Sequence, residues 1–109
     1  MELRVLRYFL AVAQEQNITA AAKVLHISQP TLSRQLMDLE AELGKQLMQR
    51  GSRSITLTEE GMVLKKRAEE IIALVDRTES ELHAPEDQIA GDIYIGSAGT
   101  QGMRYLAKI

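Results

Sequence analysis

Apolar residues recur at Leu3, Leu6, Leu10 and Ala13, the spacing of one face of an α-helix, and Val5, Phe9 and Val12 widen the stripe. This predicts a first helix that stops in the polar run Gln14-Glu15-Gln16-Asn17. Thr19 is placed to cap a short second helix over 20–25, whose three consecutive alanines favour helix and let another backbone approach closely. After His26-Ile27, Ser28 offers a second cap, and Pro30 falls in a first turn, where its missing N–H costs little. Leu32, Leu36, Leu39 and Leu43 then recur at helical spacing, and Gly44 ends the third helix. Residues 46–50 and 54–58 read as two short strands around the turn Gly51-Ser52-Arg53.

From Glu59 the pattern becomes one helix of roughly 25 residues, about 37 Å long, capped by Thr58 with acids in its first turn. Leu64, Ala68, Ile71, Val75, Thr78 and Leu82 alternate spacings of four and three, a coiled-coil seam that includes one polar residue. A helix this long needs a partner, either a second chain or its own domain. Ala84-Pro85-Glu86-Asp87-Gln88 reads as a linker and Gly91-Asp92-Ile93-Tyr94-Ile95-Gly96 as one strand. A lone strand is not independently stable. The expected division is therefore a domain over 1–58, a linker or dimerisation helix over 59–83, a connector over 84–90 and the start of a further domain over 91–109.

Two helices joined by a short turn, the first small-sided and the second long and amphipathic, form the helix-turn-helix pattern, and the hairpin behind them makes it winged. The fold class is mainly α: three helices and a two-stranded wing, then the long helix. With the leucines of helix three turned inward, Gln29, Thr31, Ser33, Arg34 and Gln35 lie on its other faces, near the N-terminal half that meets base edges in such readers. Arg can pair with guanine and Gln with adenine through two hydrogen bonds, and Thr offers a methyl to thymine. The helix N-terminus and Ser hydroxyls suit phosphate. At the wing tip, Arg53 can enter a narrow minor groove, while Arg50 suits a phosphate or a nearby acid. The plain alternative for this face is solvated surface.

Taken together, Ala21-Ala22-Lys23-Val24-Leu25-His26-Ile27-Ser28-Gln29-Pro30-Thr31-Leu32-Ser33-Arg34-Gln35-Leu36, Leu39-Glu40, Leu43-Gly44, Leu47-Met48-Gln49-Arg50 and Leu57-Thr58-Glu59-Glu60-Gly61 strongly resemble the DNA-binding domain of LysR-type bacterial transcriptional regulators. Many members of that family carry Phe where this chain has Met48, a change that an adaptable thioether tolerates. The resemblance implies that Gln29, Pro30, Thr31, Ser33 and Arg34 face the major groove and that Arg53 serves the wing. It implies an antiparallel homodimer through the long helix, with Leu64, Ala68, Ile71, Val75 and Leu82 at the interface, reading a near-palindromic operator in double-stranded DNA. It implies higher assembly and a small-molecule effector in the intact regulator, activator or repressor, with most of the effector domain lying beyond this chain. Ser97 and Thr100 would then sit in the first loop of that domain, where hydroxyls and N–H groups can hold a carboxylate.

Composition narrows the other classes. With no cysteine and two histidines, thiol catalysis, disulfides and Cys-based zinc sites are excluded, and no metal, cofactor or enzymatic activity is expected. His26, beside the interhelical turn, reads as a packing or helix-terminus residue, and Met37, Met48 and Met62 read as core or edge packing. The N-terminus is too short in apolar residues for a signal peptide, and no stretch suffices to span a membrane, so a cytoplasmic address is expected. The net charge of −2 conceals polarity along the chain: seven bases against five acids over 1–58, four against nine over 59–87, and two against one over 88–109. So modest a positive balance in the first segment leaves a competing class open, a winged-helix module that meets a protein rather than DNA.

Overall fold

The computed structural model describes residues 1–83, as four helices and one hairpin: α1 (Leu3–Glu15), α2 (Ile18–Leu25), α3 (Gln29–Leu43), β1 (Met48–Arg50), β2 (Ile55–Leu57) and α4 (Glu59–Leu82). The chain divides after Leu74 into two units. The first contains the core, and the described part of the second is the last portion of α4. The expected connector over 84–90, the strand from Gly91 and the candidate effector residues Ser97 and Thr100 lie outside the described residues.

The core joins Val5, Phe9 and Val12 of α1 to Ile18, Ala21 and Ala22 of α2, Leu32, Leu36 and Leu39 of α3, and Leu47, Met48 and Ile55 of the hairpin region. Burial of such side chains contributes about 1.5–3 kcal/mol each, so helix positions follow the apolar faces. The stripe on α1 is nevertheless rotated from the expected one. Val5, Leu6, Phe9 and Val12 are buried, while Leu3, Leu10 and Ala13 lie at its margin. Phe9, wholly buried, draws the inward face toward itself because it offers the largest apolar area.

Three local expectations are corrected. Helix α2 begins at Ile18 and is capped by Asn17, whose Oδ1 accepts the Ala20 N–H at 2.8 Å, so Thr19 is inside the helix and not its cap. The reason lies one residue upstream: Gln16 ends α1 in the left-handed conformation, φ 57°, and turns the chain so that Asn17 is extended at the cap position. Leu43, at the last turn of α3, is 37 % exposed and so stands at the edge of the core. Met37 and Met62 are exposed too, and of the three methionines weighed only Met48 is buried.

Strands β1 and β2 pair antiparallel, Met48 with Leu57 and Arg50 with Ile55, over a shorter span than the sequence pattern suggests. The hairpin closes through the Gly51 N–H donating to the Ser54 carbonyl at 2.8 Å. It is fixed to the α1–α2 corner by the Ile55 N–H, which donates to the Gln16 carbonyl at 2.9 Å. Thr58 caps α4 as its sequence position implies, its Oγ1 accepting the Gly61 N–H at 3.0 Å. Among the described residues no helix is long and apolar enough to cross a membrane.

Candidate nucleic-acid interface

The turn between α2 and α3 is built by His26 and Ser28. His26 takes the left-handed conformation, φ 61°, as the C-cap of α2, which confirms it as a helix-terminus residue. Ser28 is extended, and its Oγ accepts the Thr31 N–H at 3.2 Å and donates to Thr31 Oγ1 at 2.7 Å. With Ser28 as donor, the Thr31 hydroxyl hydrogen is left to an outside acceptor. Gln29 Nε2 donates to Ser33 Oγ at 3.4 Å, one turn along, which lays the glutamine side chain along the helix.

Gln29, Pro30, Thr31 and Arg34 are exposed and Ser33 and Gln35 half-buried, whereas Leu32 and Leu36 on the opposite face are inaccessible. Pro30, Thr31, Arg34 and Gln35 border one surface hollow together with Asp38. No ion pair occupies the Arg34 guanidinium among the described residues. A capped helix start, an uncommitted guanidinium and amide and hydroxyl groups can engage phosphates and base edges together.

Arg50 and Arg53 lie at the other candidate surface. They border a second hollow with Gly51, Ser52 and the start of α2 at Asn17, Ile18 and Thr19. The Asn17 amide reaches the Arg53 carbonyl at 3.5 Å, which places the wing turn against that helix start. Neither guanidinium forms an ion pair among the described residues, so the nearby acid considered for Arg50 is not its partner. The start of α2 and two arginines thus border one concavity, a set of residues suited to an anion. Asn17 and Thr19 border this hollow without standing among the candidates that the sequence pattern offers. The legible signal was Asn directly before an apolar-periodic run, a cap pattern that brings a helix start with it.

The seam on α4 is divided. Ala68 is wholly buried, which leaves it no surface to offer a second copy, and Leu64 is half-buried, packing against the core of its own chain. The physical reason is Gly61: without a Cβ it lets the first turns of α4 lie on Leu47 and Leu57, and the residues one and two turns later follow it inward. Farther along, Ile71 is 38 % exposed and Leu82 79 %, with Val75 half-buried. Leu74, outside the predicted repeat, is exposed as well.

Residues 3–62 match the bacterial regulatory helix-turn-helix proteins of the lysR family. The chain is 48 % identical over 98 residues to the transcriptional regulator BsdA of Bacillus subtilis, a match that spans 89 % of this chain but 34 % of BsdA. Its fold is similar to the BenM DNA-binding domain solved in complex with catB site 1 DNA, at 50 % identity and a TM-score of 0.73, covering 75 % of this chain and 91 % of that one. It is likewise similar to the CbnR DNA-binding domain in its DNA complex, at 45 % identity and a TM-score of 0.74, covering 77 % and 97 %. The chain thus spans about a third of the regulator BsdA and nearly all of the two solved domains. With the family match covering more than half of its residues, the chain belongs to the lysR family of bacterial regulatory helix-turn-helix proteins.

Proposed function

We propose that this chain is the DNA-reading and dimerising part of a bacterial transcriptional regulator, working in the cytoplasm by binding and not by catalysis. The observation that carries the reading is likeness across nearly the whole of two domains solved on DNA, at 45–50 % identity. In this reading α3 enters the major groove, where Gln29, Pro30, Thr31, Ser33 and Arg34 meet bases and phosphates. Arg53 senses minor-groove shape at the wing, and Arg50 holds a phosphate beside the start of α2. A second copy pairs through the exposed part of the α4 seam, at Ile71, Val75 and Leu82. Residues 1–58 are the reader, 59–83 the dimerisation helix, 84–90 a connector and 91–109 the start of an effector-binding domain.

The test is a fluorescence-anisotropy titration of a near-palindromic duplex and a scrambled duplex at two salt concentrations. Tighter binding to the palindrome that weakens steeply with salt is expected, because each phosphate contact releases counterions. Salt-insensitive binding, or no duplex in a randomised pool bound above background, would hand the surface to a protein partner. Arg34→Ala is expected to cost about 1–3 kcal/mol in specific binding and to relax base preference at one position of each half-site. Unchanged affinity and preference in a selection from randomised duplexes would remove Arg34 from the reading face.

A further inference from the structure

A recognition helix and a wing can engage one duplex together only if they are held at a set separation, and the linking residues 44–47 could adopt many conformations. Glu40 spans that link. Its carboxylate, half-buried near the end of α3, accepts the Leu47 N–H at 2.7 Å and the Met48 N–H at 3.3 Å, both on the single oxygen Oε2. The carbonyl of the same residue accepts the N–H groups of Gly44 and Lys45 at 2.8 and 3.2 Å. Leu47 passes the connection on: its carbonyl accepts the Thr58 N–H at 3.0 Å and faces Gly61, where a Cβ would lie 2.1 Å from that oxygen. Thr58 closes the circuit, donating through Oγ1 to the Gln46 carbonyl at 2.6 Å while capping α4.

One carboxylate on α3 therefore orients the residue that carries both the start of β1 and the seat of α4. Bonds from N–H to a charged acceptor are stronger than neutral ones, and their partial burial limits competition from water. Glu40 is not among the residues that border the hollows at the α3 start and the wing tip. We propose that Glu40 is a positioning residue for DNA recognition, setting the wing and the first turn of α4 against the recognition helix through Leu47. The proposal rests on the DNA-reading function above.

Two arms test it on the whole chain. The first needs no DNA. In Glu40→Met, which fills similar volume without an acceptor, amide exchange at Leu47 and Met48 and at the hydrogen-bonded wing amides of Gly51 and Ile55 is expected to quicken about tenfold or more at a temperature where the variant is folded. Glu40→Gln, whose amide oxygen can take the same two N–H groups, is expected to restore most of the protection. Unchanged exchange, or a change confined to Leu47 and Met48, overturns the positioning role. The second arm is a double-mutant cycle against the wing on a two-half-site duplex. Arg53→Ala is expected to lower affinity about tenfold in the parental chain and less than about threefold beside Glu40→Met, because a misplaced wing has little left to lose. Equal losses in both backgrounds overturn the proposal. If the parental chain discriminates no duplex, the DNA-reading function fails while the exchange arm still decides what Glu40 does.

Discussion

Gly61→Ala is expected to destabilise the chain by about 2–3 kcal/mol, although in an exposed helix the same change would stabilise by about 1 kcal/mol. Gly61 is buried in the first turns of α4, and the added Cβ would meet the Leu47 carbonyl oxygen at 2.1 Å and the Leu57 Cβ at 3.3 Å. Relief requires a backbone to move by about 1 Å, since non-bonded heavy atoms settle at roughly 3.5–4 Å. The Leu47 carbonyl cannot yield freely, because it accepts the Thr58 N–H at 3.0 Å and its own N–H is held by Glu40. The helix must lift instead, loosening the Thr58 cap and drawing Leu64 from the core. Melting followed by circular dichroism at one protein concentration should show a midpoint lower by about 10 °C or more. An unchanged or higher midpoint would mean that α4 does not sit against Leu47 as described.

On the proposed pairing through α4, Ile71→Asp is expected to leave the chain monomeric and to weaken binding to a two-half-site duplex on the order of a hundredfold or more, while a single half-site is bound as before. The size follows from avidity: with both readers on one dimer, the second contact is intramolecular, and a monomer forfeits that effective concentration. Ile71 is the right position because it is 38 % exposed within its own chain, so the change costs the fold little, whereas an unpaired carboxylate in an apolar seam is strongly disfavoured. Ala68→Asp would be a poor probe, since Ala68 is wholly buried and its loss of binding would report unfolding. Sedimentation velocity separates the outcomes. A stable Ile71→Asp dimer would move the self-association surface off this part of α4.

Much of the molecule is legible in its local pattern. Leucines four and three apart on α3, a cap at Ser28, Gly44 at its end and Thr58 at the start of α4 act within a few residues of themselves, so spacing alone locates them. The polar character of the α3 start follows from the same periodicity, because burying Leu32, Leu36 and Leu39 leaves Arg34 and Thr31 outward. Other features depend on atoms far apart in the chain. Asn17, not Thr19, caps α2 because Gln16 turns left-handed where its carbonyl takes the Ile55 N–H from the wing. The α4 repeat looks uniform, yet Ala68 is wholly buried and Leu64 packs half-buried on the chain's own core, while Ile71 and Leu82 stay exposed, a division that follows the close approach at Gly61. Glu40 read as one more polar residue on a helix face, and its two bonds to Leu47 and Met48 arise only when the link folds back. Periodicity and caps are short-range and sequence by itself determined them, together with the family. Which side of a long helix is spent on its own domain, and which carboxylate holds the wing, were decided by packing between distant segments, where one missing Cβ sets the distance.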